Sequence, residues 1–180
     1  TGVTRATGVS KRGGRIFLSA GGKGKVRHSG TIAARKSDGS GGEVRVEAAR
    51  IELAAGSRID VSADAASPAG NGGEVLIGGG HQGRDVSIRN AETVTAEEGS
   101  LIVADAVAAG RGGTVILWSD GATQFGGTIS ARGGSVSGDG GFAEVSGKEH
   151  LAMVGFADLS AVDGAFGHLL LDPGSVVIQD

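Results

Sequence analysis

The chain has 180 residues, enough for one domain with a sizeable core, and carries 36 glycines, 5 Phe, 1 Trp, no Tyr and a formal net charge of −3. Abundant glycine with only 2 prolines and no triplet period excludes collagen and proline-rich linkers, and the lack of cysteine excludes a disulfide scaffold, zinc–thiolate sites and thiol catalysis. A hydrophobic content of 39% argues against disorder, and no apolar run reaches the roughly 18 residues of a transmembrane helix.

The start, Thr1-Gly2-Val3-Thr4-Arg5, has neither an initiator Met nor an apolar h-region, so it is no signal peptide. It is the beginning expected of a segment or processed product of a longer chain. Residues 1–12 are polar. The first apolar segment, Ile16-Phe17-Leu18, follows the pair Gly13-Gly14. Glycine pairs then recur ahead of short apolar runs: Gly41-Gly42 before Val44-Arg45-Val46, Gly72-Gly73 before Val75-Leu76-Ile77, Gly112-Gly113 before Val115-Ile116-Leu117, and Gly140-Gly141 before Phe142-Ala143-Glu144-Val145. A degenerate copy begins at Gly164 and ends in Leu169-Leu170-Leu171. From the second glycine of each copy (14, 42, 73, 113, 141 and 167) the spacings are 28, 31, 40, 28 and 26. Inside each unit lies a second signal, a small residue followed by an aliphatic: Ile32, Ile59, Ile102, Ile129 and Leu159. Between the two runs a weaker alternation, as in Ile51-Glu52-Leu53, Thr123-Gln124-Phe125 and Leu151-Ala152-Met153. The longest unit carries its extra length before the second signal, which predicts an inserted hairpin or loop within 78–99. The chain closes on Ser175-Val176-Val177-Ile178-Gln179, which reads as strand-like.

Period two means strands, and no stretch has a helical period with caps. Three short strands per unit, repeated about six times, predict an all-β fold: a right-handed parallel β-helix, one single repeat domain over 1–180. Coils stacked about 4.8 Å apart make a rod of roughly 29 Å. Glycine is expected at tight corners that need positive φ. Sandwiches and meander barrels need hairpins every 8–12 residues and do not predict the glycine spacing. Alternation points Val44, Val46, Ile51, Leu53, Ile59, Val61, Val115, Leu117, Ile129 and Leu159 inward.

Charge is uneven. Residues 1–50 hold 11 Lys/Arg against 3 Asp/Glu, a balance of +8, and residues 51–180 hold 6 against 17, a balance of −11. A solvated surface, an anionic partner for the basic end, and basic-to-acidic association between copies are all consistent with this.

The repeats resemble large exoproteins of the filamentous haemagglutinin type, passengers of two-partner secretion in Gram-negative bacteria. The residues that carry the resemblance are Gly73-Glu74-Val75-Leu76-Ile77-Gly78-Gly79-Gly80-His81-Gln82-Gly83, Gly112-Gly113-Thr114-Val115-Ile116-Leu117-Trp118-Ser119-Asp120, Phe125-Gly126-Gly127-Thr128-Ile129-Ser130-Ala131, Gly140-Gly141-Phe142-Ala143-Glu144-Val145-Ser146-Gly147-Lys148 and Leu169-Leu170-Leu171-Asp172-Pro173. It spans 72–173 and continues over 13–71 as a style of repeat. The resemblance implies a secreted β-helical stalk at the outer cell surface, acting in attachment, cell–cell contact or biofilm matrix. It also implies that the outer-membrane secretion partner acts on a domain outside this chain.

The candidate chemistry is sparse. Gly21-Gly22-Lys23-Gly24-Lys25 lacks the spacing and following helix of a phosphate loop and reads as a coil corner. His28, His81, His150 and His168 show no ligand spacing, and Asp38 and Asp139 read as turn formers rather than calcium ligands. Asp60, Asp105 and Asp158 lie beside the aliphatic signal of their units; stacked in a ladder they would line one face, as a polysaccharide-cleaving β-helix requires. Trp118 is read as a core-edge residue, with a sugar-stacking platform as the alternative. No catalytic, cofactor-binding or metal-binding residue is assigned, and no enzyme activity, cofactor or nucleic-acid partner is expected. The expected function is structural and adhesive. The alternatives are a filament subunit stacked head to tail, and a glycan-binding or glycan-cleaving module. Expected partners are neighbouring coils of the parent chain or identical subunits end to end, and a host or bacterial surface glycan or protein.

Overall fold

A computed structural model describes residues 14–174. The polar stretch 1–12 and the strand-like 175–179 lie outside the described residues. The first coil contains β1 (Arg15–Ser19), β2 (Lys25–His28) and β3 (Thr31–Ala33). The second contains β4 (Glu43–Glu47), β5 (Arg50–Leu53) and β6 (Arg58–Asp60), and the third β7 (Glu74–Ile77), β8 (Ala91–Ala96) and β9 (Leu101–Val103). In the fourth a single long strand, β10 (Thr114–Phe125), runs through two positions before β11 (Thr128–Ser130). The fifth contains β12 (Phe142–Gly147), β13 (His150–Met153) and β14 (Phe156–Asp158), and the sixth begins with β15 (His168–Leu170). Every ladder between these strands is parallel and joins equivalent strands of successive coils. The chain is therefore a β-solenoid of about six turns, as its repeats predict.

The core follows from alternation. Inward residues form columns that run the length of the rod: Ile16, Val44, Val75, Val115 and Ala143 in one, Ile32, Ile59, Ile102 and Ile129 in another. All ten residues expected to point inward are buried. A fully buried aliphatic side chain contributes about 1.5–3 kcal/mol, so columns of Val and Ile suffice where aromatics are scarce. Phe125 is the one large ring in this core.

Two details differ from the sequence reading. Ile129 pairs with Ala157, not with Leu159. Leu159 instead occupies the corner column after it, where its carbonyl accepts from the Gly167 amide at 2.8 Å as that of Ala131 accepts from Gly141 at 2.7 Å. The repeated glycines also serve another purpose than positive φ. Gly14, at φ 63, and corner glycines such as Gly21, Gly56 and Gly99 take the expected positive φ, whereas Gly42, Gly73, Gly113, Gly141 and Gly167 have ordinary backbone angles. They stack so closely that a methyl on Gly73 would lie 2.2 Å from the Gly42 carbonyl oxygen, one on Gly113 2.1 Å from that of Gly73, and one on Gly141 2.1 Å from that of Gly113. Closeness between coils, at one corner, excludes every side chain there.

Between β7 and β8 the chain leaves the coil over residues 78–90. The neck is closed by the Ala91 amide, which donates to the Gly78 carbonyl at 2.8 Å. A short 3-10 turn, His81–Gly83, follows, with Gln82 in the left-handed region at φ 53.

Candidate functional site

The excursion lies over the outer face of the first sheet. One outward register position of that sheet holds Phe17, Arg45, Leu76, Ile116, Glu144 and Leu170 in successive coils. Leu76 and Ile116, with Trp118 from the same strand, would be exposed on an uncovered sheet. Ile88 of the excursion joins these three in a second small core outside the solenoid, with Phe142 packed against it. Gly83 sits so close to the indole that a methyl there would lie 2.4 Å from the ring. The Trp118 indole N–H donates to Asp120 Oδ1 at 3.2 Å, and Asn90 Nδ2 donates to the same oxygen at 3.0 Å. Trp118 is 5% exposed, so it is a packing residue and presents no stacking platform.

Glu144 is the unexpected member. Its side chain is wholly buried on this outward face. A buried carboxylate is costly unless hydrogen-bonded. The excursion supplies the bonds: the Gln82 backbone N–H donates to both carboxylate oxygens at 3.1 Å, and His81 Nδ1 lies 2.9 Å from Oε2. The left-handed angle of Gln82 aims that N–H, and non-glycine residues hold this conformation only where their surroundings over-determine it. Gln82 Nε2 goes on to donate to Asp172 Oδ2 at 3.2 Å, and the Asp172 backbone N–H donates to Ser146 Oγ at 3.1 Å. The segments that carry the sequence resemblance thus meet in space. Alternation alone does not reveal this cluster, but the unbroken runs Val75-Leu76-Ile77 and Val115-Ile116-Leu117-Trp118 signal strands covered on both faces.

The other candidates fall elsewhere. Asp60 and Asp158 share one outward position of the second sheet, whereas Asp105 lies two residues beyond it, so the three do not form one acidic ladder. Nor is the face acidic. Arg58 pairs with Asp60 at 2.8 Å, and Arg132 pairs with Asp105 at 2.7 Å and lies 3.9 Å from Asp158. Burial pushes the Asp60 carboxyl up, but the Ser62 and Arg58 hydrogen bonds outweigh it and hold it low, and the Ser160 hydrogen bonds hold Asp158 low. Such carboxylates stay ionised and lack the raised affinity of a general acid. Asp38 Oδ1 accepts from the Ser40 amide at 2.9 Å, a turn former as expected. Gly21–Lys25 forms the corner between β1 and β2, and Lys25 pairs with Glu52. His28 Nε2 lies 3.1 Å from the Arg58 carbonyl oxygen. Among the described residues no group of three His, Asp or Glu is placed to hold a metal ion, and no helix is long and apolar enough to cross a membrane.

Several basic residues of the first third have counter-charges inside the molecule. Arg15 pairs with Glu43, Lys25 and Arg27 with Glu52, Arg35 with Asp60, and Arg50 with Glu92, each to the next coil.

No family profile matches the chain, and no curated protein does. Among solved structures it is similar to the crystal structure of the HMW1 secretion domain from Haemophilus influenzae, with 31% identity and a TM-score of 0.68. The match covers 89% of this chain and 39% of that one, so this chain spans well under half of that domain.

Proposed function

We propose that this chain is a structural segment of a secreted, outer-surface exoprotein of the two-partner secretion type, a stiff β-helical rod that holds adhesive surfaces away from the cell. The observation that carries this reading is the continuity of the parallel ladders through all the described coils, together with likeness over 89% of the chain to a domain of an exported protein. Rigidity comes from the stacked coils, the first five of which are joined in succession along three strand positions and the fifth to the sixth along one. The outward carboxylates beside the second sheet are neutralised by arginines, which favours a mechanical role over a glycan-cleaving one.

A second reading rests on the solved structure being a secretion domain. Here the coils take part in export itself, engaging the outer-membrane partner. One experiment separates the two. The parent exoprotein is expressed with its outer-membrane partner, with and without residues 14–174. Export retained with loss of cell–cell attachment supports the stalk. Retention in the periplasm supports the secretion role, and full export with full attachment overturns both.

A further inference from the structure

Residues 79–90 leave the third coil, yet their contacts reach every other coil in the rod. Towards the beginning, the Arg89 amide donates to Glu47 Oε2 at 3.1 Å, and the Ser87 carbonyl accepts from the Arg45 guanidinium, both in the second coil. Arg45 in turn sits over the Phe17 ring of the first coil, 5.9 Å from its centre, and the Arg89 guanidinium lies against Gly22 at the first coil's corner, where a methyl would stand 2.1 Å from Nη1. Towards the end, Ile88 and Gly83 cover Ile116 and Trp118 in the fourth coil, His81 and Gln82 hold Glu144 in the fifth, and the Gln82 side chain reaches Asp172 in the sixth. The neck is fixed by the Ala91–Gly78 bond, and Asp85 binds the Ser87 amide and hydroxyl at 2.9 and 2.7 Å, so the segment is internally tied.

A solenoid without such an element behaves as a one-dimensional stack. Each coil contacts only its neighbours, and the ends fray independently. We propose that residues 79–90 form an axial strap that couples the first two coils to the last two, so that the rod opens as one unit rather than coil by coil. The anchor at Glu144 fits this role. Leu76, Ile116 and Leu170 hold the same register position, and an apolar residue there would suit the sheet as well. A buried carboxylate serves instead as an acceptor that only the strap satisfies.

The test is native-state amide exchange on the whole chain. Glu144→Leu removes the anchor and leaves an apolar residue between Ile116 and Leu170. It is compared with Val145→Ala, which weakens the same coil from inside without touching the strap. The strap predicts that Glu144→Leu speeds exchange about tenfold or more in the strap and also in β4 and β1, three and four coils away, whereas Val145→Ala affects mainly coils four to six. Glu47→Ala is the reverse arm, because a glutamine would keep an oxygen to accept from the Arg89 amide. This substitution on the surface of the second coil leaves the core untouched, and it should loosen β12 and β15. Acceleration confined to the mutated coil and its immediate neighbours, in either arm, overturns the strap. If Glu144→Leu does not fold, the Glu47→Ala arm decides alone.

Discussion

A methyl at Gly73 would stand 2.2 Å from the Gly42 carbonyl oxygen, and backbone on both sides has no room to move. Gly73→Ala should therefore cost about 1–3 kcal/mol by overpacking, and so lower the melting temperature by several degrees. At Gly30 an added methyl meets nothing within 4 Å and φ is ordinary. Gly30→Ala should leave the melting temperature unchanged or raise it slightly, through the entropy of the unfolded chain. Thermal melts of the two variants side by side check the close-approach account; equal effects would refute it. In the core, Ile129 is fully buried between Ile102 and Ala157. Ile129→Asp should unfold the coils around it, because no partner exists for the charge. Ile129→Val should cost only about 0.5–1.5 kcal/mol, a contrast that circular dichroism and melting resolve.

Among elements, the ladders carry ion pairs from coil to coil. The side-chain hydrogen bond from Lys25, followed by that from Arg27, holds the Glu52 carboxyl below the usual glutamate range. A depressed folded value gives stability that is present above the unfolded value and lost as pH falls through the folded one. Glu52→Gln should therefore melt lower than the parent at neutral pH, by the equivalent of roughly 0.2–1 kcal/mol, and match it at a pH low enough to protonate the carboxylate. High salt should narrow the neutral-pH gap. The Asp105 corner is more demanding. Its carboxylate accepts from the Ser130 hydroxyl, the Arg132 amide and the Arg132 guanidinium, at 2.7, 2.8 and 2.7 Å among others. Asp105→Ala should cost more than Glu52→Gln, because it removes several charge-assisted bonds from a buried residue. These elements differ in how far their sequence reveals them. Val44-Arg45-Val46 and Ile51-Glu52-Leu53 alternate cleanly, so strand, face and coil are legible from spacing. Glu144 and His81 are not, because their meeting depends on an excursion 63 residues away in sequence folding back over the sheet. Nor does spacing separate Ala157 from Leu159 as the partner of Ile129, since a strand slipped by two residues keeps the same face inward.

On the scale of the whole molecule, the fifth and sixth coils leave an apolar face among the described residues. Phe156 and Phe166 are 64% and 70% exposed among the described residues, and Ala157, Leu159, Phe166 and Leu169 line an open cavity of about 300 Å³ beside them. A coil laid on this face would continue the ladders of β14 and β15 and bury that surface, whichever chain it came from. The cross-coil ion pairs set a pattern for such a junction, with basic residues of one coil over acidic residues of the next, as Arg15 lies over Glu43. In a head-to-tail contact between copies, complementary charge would speed encounter and apolar burial would hold the contact. The isolated chain should therefore self-associate with rising concentration. High salt should slow its assembly, while the assembled species persists, because screening acts on the exposed charges and not on the buried apolar area. Phe166→Ser combined with Leu169→Ser should abolish association while leaving the melting temperature close to the parent's. Sedimentation velocity across concentration and salt, with negative-stain images of the products, measures this directly. Long fibres lost in the double variant favour a self-assembling subunit. A monomer at high concentration and low salt excludes the end-to-end contact and leaves the rod as one segment of a continuous stalk.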